Sequence, residues 1–211
     1  MSFSLLHVQA SDAERLIREC DFPAMLDNPI RLTMFPHSGP ETQEDEIRWM
    51  TCNFKHSLEE DSSNFRKICT EDGTPVGFAG YAVLNNTVQN KIQKGQVELH
   101  SNPEPETLDK DTWSEVSKML MAEQNRVIHG QENIWSLTIV AVNPMYQRRG
   151  IGSMLMKWAC EEADKAHRDG ILLSSPAGIQ LYTKFGFEKV SEVRTPKGSL
   201  YSMFRKAQNF G

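Results

Sequence analysis

Residues 134–158, IWSLTIVAVNPMYQRRGIGSMLMKW, limit what this chain can fold into more than any other stretch. Leu137, Ile139, Val140, Ala141 and Val142 make an apolar run too short for an ordinary helix and rich in β-branched residues, which predicts a buried central strand. Asn143 and Pro144 end it. Ile151, Met154, Leu155, Trp158 and Ala159 then recur at helical spacing, and Gly170 after His167 and Arg168 reads as the stop signal. The first turn of that helix is expected to be built from Gln147, Arg148, Arg149, Gly150, Ile151 and Gly152.

The first amides of a helix have no partner inside it and point outward with the positive end of its dipole, so an anion fits there. Gly150 and Gly152 remove side chains that would hold a phosphate away from the backbone, and Arg148 and Arg149 add charged donors. Close packing of strand against helix is the plain alternative use of the same glycines. A P-loop would need a Gly-Lys-Ser/Thr ending, which is missing, and a dinucleotide fingerprint would need a third glycine where Leu155 stands. What remains is Gln/Arg-x-x-Gly-x-Gly/Ala after a strand and a Pro-containing turn, matched by Gln147 to Gly152. This resembles the acyl-CoA-binding motif of the GNAT superfamily of N-acetyltransferases. The segment Leu181-Tyr182-Thr183-Lys184-Phe185-Gly186-Phe187, after the apolar run Ile171 to Leu173, resembles the second signature of that family.

The rest of the chain is consistent with one domain over 1–211, carrying an insertion at about 85–111. Leu5, His7 and Val8 begin a first strand, and Ser11 to Glu14 form a capping box ahead of Leu16, Ile17 and Cys20. A Pro-rich stretch around Pro23, Pro29, Pro36 and Pro40 leads to a helix with Ile47, Met50, Thr51, Phe54 and Leu58 on one stripe. Phe65 to Glu71 and Val76 to Leu84 flank the turn Asp72-Gly73-Thr74-Pro75, which predicts a hairpin. The polar excursion from Asn85 to Asp111 shows no clear period beyond an irregular strand at Val97 to Leu99. Thr112 and Glu115 read as a capping box ahead of Val116, Met119, Leu120 and Val127, and Phe187 to Val193 and Leu200 to Arg205 as two closing strands. The element order gives a mixed α/β domain, and the resemblance implies a mostly antiparallel central sheet flanked by helices.

Charge and cysteine usage narrow the function. There are 23 Lys plus Arg against 28 Asp plus Glu, which argues against broad nucleic-acid binding. No apolar run has bilayer-spanning length and the N-terminus lacks a basic secretion start, so a soluble, cytoplasmic protein with no membrane partner is expected. Cys20, Cys52, Cys69 and Cys160 are scattered and the six histidines show no ligand spacing, so neither a disulfide framework nor a metal site is expected. Asn85-Asn86-Thr87 fits a glycosylation triplet, which has no meaning inside a cell.

The resemblance implies chemistry residue by residue. Amides from Arg148 to Ser153 (Arg148, Arg149, Gly150, Ile151, Gly152, Ser153) would bind the pyrophosphate of acetyl-CoA, with Gln147 bracing the turn. Val140 and Val142 would pair their backbone with the pantetheine arm, and an N–H near Val140 to Ala141 would face the thioester oxygen. Tyr182 matches the tyrosine that protonates the departing sulfur. Some relatives carry a Glu base four residues before the position of Val140, where this chain has Ser136; Glu98, His100, His129, Glu132 and an ordered water stand as alternatives. Lys184 would reach a cofactor phosphate or solvate its helix. The implied acceptor is a primary amine of a small molecule or peptide, and a homodimer is compatible with the family. A non-catalytic acyl-CoA sensor and a nucleotide-dependent enzyme are the competing readings.

Overall fold

The computed structural model describes residues 2–60, 63–84 and 104–208. Its frame is a seven-stranded sheet in the order β1-β2-β3-β4-β5-β7-β6. The strands are β1 (Phe3–His7), β2 (Ser63–Thr70), β3 (Pro75–Leu84), β4 (Ile134–Val142), β5 (Asp169–Ser174), β6 (Glu188–Thr195) and β7 (Gly198–Arg205). Every neighbouring pair is antiparallel except β4 with β5, which is parallel. A mixed, mostly antiparallel sheet flanked by helices is therefore present.

That parallel pair shapes the candidate site. β4 and β5 are in register only at Ile134↔Asp169, Trp135↔Gly170 and Ser136↔Ile171, and beyond Ser136 the two strands part. On its other edge β4 stays paired with β3 as far as Gly77↔Val142, with a register shift that leaves Thr138 without an opposite residue. A bulge of this kind bends a strand and raises its twist, which carries the second half of β4 away from β5.

Strand alternation divides the helices between two faces. Trp135 and Leu137, with partly buried Val140 and Val142, pack against the apolar stripe Ile151, Leu155, Met156 and Ala159 of helix α5 (Ile151–Lys165). On the opposite face Ile139 and Ala141 meet helix α1 (residues 13–24) and the Phe54 side of α3 (Gln43–Glu59). Helix α1 continues from Ala13–Leu16 through a π-helical turn at Ile17–Asp21 into Phe22–Ala24. α2 (Pro29–Met34) and α4 (Lys110–Val127) cover the sheet further along this face, and α6 (Ile179–Thr183) follows β5 on the α5 side.

Several local expectations are corrected. The first strand is Phe3–His7, and the box that starts α1 pairs Gln9 with Asp12 rather than Ser11 with Glu14. The cap of α4 is Asp109, whose carboxylate accepts from the Thr112 amide at 3.0 Å; Thr112 itself is already helical. The Pro-rich stretch holds α2, capped by Asn28 with Pro29 in its first turn, an arrangement that suits proline because its missing N–H costs nothing there. Gly170 lies inside β5 and does not stop α5. A Cβ at Gly170 would come within 2.8 Å of Trp135 Nε1, so the glycine makes room for that ring. Gln147 to Gly150 precede α5 and are not its first turn. The strand expected at Val97 to Leu99 lies outside the described residues.

Candidate active site

β4 runs into a 3-10 turn at Pro144–Tyr146, where Asn143 Oδ1 accepts from the Met145 amide at 3.0 Å. The chain then turns sharply, with Arg148 at φ 62° and Gly150 at φ 85°, before α5 starts at Ile151. Gln147 Nε2 donates to Val142 O at 3.2 Å and ties the turn to the strand end. Arg149 lies over the Tyr146 ring at 5.2 Å, and Arg148 is exposed. The amides of Ile151, Gly152 and Ser153 have no acceptor among the described residues; the first intrahelical bond here comes from Met154 N–H to Gly150 O at 2.9 Å. A cluster of unpaired donors at a dipole end is a ready anion site.

The two glycines of the turn do different work. A Cβ on Gly150 would meet nothing within 4 Å, so this position needs glycine for its left-handed backbone and leaves open space above the amides. A Cβ on Gly152 would lie 3.2 Å from Leu181 Cδ2 and 4.0 Å from Val142 Cγ2. Gly152 thus lets α6 close onto α5, which is the packing use of such a glycine.

Closing α6 sets the far wall. Tyr182 stands beside the C-terminal end of β5: a Cβ on Gly178 would lie 2.7 Å from its ring and 3.0 Å from Ser174 Oγ. Its ring meets Phe187 edge-on, with centroids 6.3 Å apart. Its hydroxyl makes no hydrogen bond among the described residues, and burial alone pushes its pKa up to about 12. A phenol so placed is protonated at neutral pH and free to donate. Lys184, the residue just after α6, is exposed.

The arrangement is a slot. One side is the edge of β4 from Leu137 to Val142, which has no strand partner toward β5; the turn amides close its end, and α6 with Tyr182 stands opposite. The structure brings Val140, Ala141, Val142, Gln147 and the turn residues together along this slot. It does not bring the expected bases there. His129 and Glu132 are exposed on the loop before β4, at the end where β4 and β5 are still paired. Ser136 lies 3.4 Å from Gln124 Nε2 on α4, and Glu98 and His100 lie outside the described residues.

One residue that sequence reasoning passed over is Asp21, at the end of the π-helical turn. It is 6 % exposed, its carboxylate has no hydrogen-bond partner among the described residues, and burial raises its pKa from the usual carboxylate range to about 7. The available signal was a lone acid directly after the buried stripe Leu16, Ile17 and Cys20.

Other groups are accounted for by structure. Among the described residues no three or more His, Cys, Asp or Glu side chains gather as a metal-holding group. No helix described is long and apolar enough to cross a membrane. The four cysteines are free thiols, and Cys20, Cys69 and Cys160 are buried. A hollow of about 400 Å³ between α5 and the end of α6 is floored by the buried pair Asp164 and Arg205 and lies away from the turn amides.

Comparison with known proteins agrees with this geometry. A family model described as the acetyltransferase (GNAT) family matches residues 29–187. A stretch of 46 residues is 41 % identical to a protein of Ajellomyces capsulatus described as a probable acyltransferase SID5, covering 22 % of this chain and 34 % of that one. Among solved structures, arylalkylamine N-acetyltransferase 2 from Aedes aegypti superposes with a TM-score of 0.68 at 14 % identity, over 99 % of this chain and 100 % of its own. PaiA N-acetyltransferase from Thermoplasma acidophilum, solved in complex with coenzyme A, gives 0.56 at 18 % identity, over 98 % and 99 %. A structure titled as histone acetyltransferase HPA2 and related acetyltransferase, from Corynebacterium glutamicum, gives 0.65 at 16 % identity, over 99 % and 98 %. The chain spans about a third of the length of the Ajellomyces capsulatus acyltransferase; with the family model matched over most of its residues, it belongs to the acetyltransferase (GNAT) family.

Proposed function

We propose that the protein moves an acetyl group from acetyl-CoA to a primary amine by direct attack within a ternary complex. The observation that carries this reading is the unpartnered edge of β4 leading to the unpaired amides of Ile151, Gly152 and Ser153. A pyrophosphate on those amides places the attached arm along β4, where main-chain groups near Val140 and Val142 can pair with it as an added strand would. The thioester then lies beside an N–H of β4, which is suited to the oxyanion that develops on attack.

Tyr182 supplies the second requirement. The sulfur departs as a thiolate, and a phenol held protonated by burial can donate to it. A CoA-binding sensor without chemistry would need no acid at this position, so the unbonded Tyr182 hydroxyl favours turnover over sensing. The net charge of -5 favours a cationic amine acceptor over nucleic acid.

The test is calorimetry with acetyl-CoA followed by CoA-thiol release over a set of small amines and peptides. Binding with amine-dependent release supports the proposal. Binding without release across the set supports the sensor, and tighter binding of ATP or NAD than of CoA refutes both.

A further inference from the structure

The fold leads α1 across the gap between β4 and β5. Its first part packs on β3, its π-helical turn Ile17–Asp21 packs on both β3 and β4, and the Cys20 thiol lies against the Asn143 amide at the end of β4. The next helix, α2, already sits on β6 and β7: Thr33 Oγ1 is 3.4 Å from Thr195 Oγ1, and Pro29 packs at Gly198. Since β5 and β7 lie beyond β4 in the sheet order, the chain from Asp21 to Asn28 must bridge the place where β4 and β5 separate. Asp21 is the first residue of that bridge. It approaches the gap from the face opposite α5.

We infer that Asp21 is the catalytic base that takes the proton from the incoming ammonium group, an assignment that rests on the amine-acetylation reading above. Three observations converge on it. Asp21 is nine-tenths buried with an unpartnered carboxylate, it is presented by a π-helical turn, and the topology places that turn over the strand gap. Turns of this type commonly mark functional positions inside helices. Among the described residues, the other carboxylate of the bridge, Asp27, is exposed. β4 has no titratable side chain, and the Tyr81 of β3 belongs to the cluster on the opposite face. On α1 itself Arg18 is exposed and engaged with Glu44; on α2 and α3, Arg31 and Glu46 are paired with each other at 2.7 Å. Burial alone raises the Asp21 pKa to about 7, which suits a group that must accept a proton near neutrality and release it again.

The proton and electron accounting closes. The Asp21 carboxylate accepts one proton from R–NH3+, and the freed nitrogen lone pair forms the C–N bond as the carbonyl pair moves onto oxygen. That pair returns as the C–S bond breaks. The leaving sulfur takes the Tyr182 proton, and the Tyr182 oxygen recovers the second proton from nitrogen. Asp21 then gives its proton to water, so amide, thiol and one solvent proton are formed.

The experiment compares the full chain with Asp21→Asn, an isosteric change that removes a buried charge and so spares the fold. Tryptamine, spermidine and a lysine peptide serve as probe amines. Wild type is expected to show kcat/KM rising through a midpoint near 7, while Asp21→Asn loses that limb and falls about a hundredfold with KM for acetyl-CoA unchanged. Retention of both rate and limb in Asp21→Asn overturns the assignment. A carboxyl-carbon NMR titration, with Asp21 identified by its absence in Asp21→Asn, needs no acceptor. A midpoint near 7 supports the base, and one in the ordinary carboxylate range overturns it. If wild type acetylates none of the probes, the amine reading has failed and the base assignment falls with it, whereas full activity in Asp21→Asn sinks the assignment alone.

Discussion

Leu181 of α6 rests on Gly152 of α5, so close that a Cβ at 152 would sit 3.2 Å from Leu181 Cδ2. This contact joins the cofactor turn to the helix that carries Tyr182. Gly152→Ala is expected to push α6 outward and weaken both CoA binding and turnover, whereas Gly150→Ala meets no neighbour but strains a backbone held at φ 85°. The strain should cost about 1–2 kcal/mol. Denaturant unfolding and CoA calorimetry on both variants separate the effects: a lower midpoint for Gly150→Ala, and a larger Kd relative to lost stability for Gly152→Ala.

Tyr182→Phe keeps the ring that meets Phe187 and removes only the hydroxyl, which has no hydrogen-bond partner among the described residues. Turnover should fall by about 10²-fold or more, the usual worth of a positioned acid, with CoA affinity unchanged. An unchanged turnover would remove the acid role.

Asp21 also governs stability through pH. Its folded pKa, about 7, lies above the ordinary carboxylate value of 3.8, so the stability it contributes is present below the unfolded pKa and is lost as pH rises through the folded one. Asp21→Asn should therefore unfold later than wild type at pH 8, by up to about 4 kcal/mol, with the difference shrinking toward acid pH. Paired thermal melts across that range check the sign.

Asp164 behaves in the opposite sense. Burial pulls its carboxyl upward, but the two bonds from Arg205, at 2.7 Å and 2.6 Å, and one from the Gln208 amide prevail and hold it below the usual range. A depressed pKa gives stability that is present above the unfolded value and lost as pH falls through the folded one. Asp164→Ala would leave Arg205, 3 % exposed, without its carboxylate, at a cost of about 3–5 kcal/mol measurable by urea unfolding at pH 7.

The strand, turn and helix from Ile134 to Trp158 were legible because a β-branched run and a helical stripe carry different periods on either side of Pro144. Boundaries were less so. Gln147 to Gly150 looked helical because the left-handed backbone at Gly150 has no signature beyond the glycine itself. Gly170 read as a stop because its real task, making room for the Trp135 ring, depends on a residue 35 positions earlier. α2 was hidden by its prolines, although Asn28-Pro29 is a start signal in its own right. The slot was expected only through the resemblance, because it arises from β4 and β5 parting after Ser136, and Asp21 left only the trace of a lone acid after a buried stripe, because its placement depends on how α1 crosses strands far away in sequence.

The most direct measurement of the central claim is mass spectrometry of tryptamine, spermidine and a lysine peptide after incubation with acetyl-CoA and the protein, alongside CoA-thiol release. Acetylation of an amine nitrogen in step with thiol release, weakened when Gly152→Ala pushes α6 off α5, is the result expected. Acetyl-CoA that binds yet leaves every amine unmodified would contradict it.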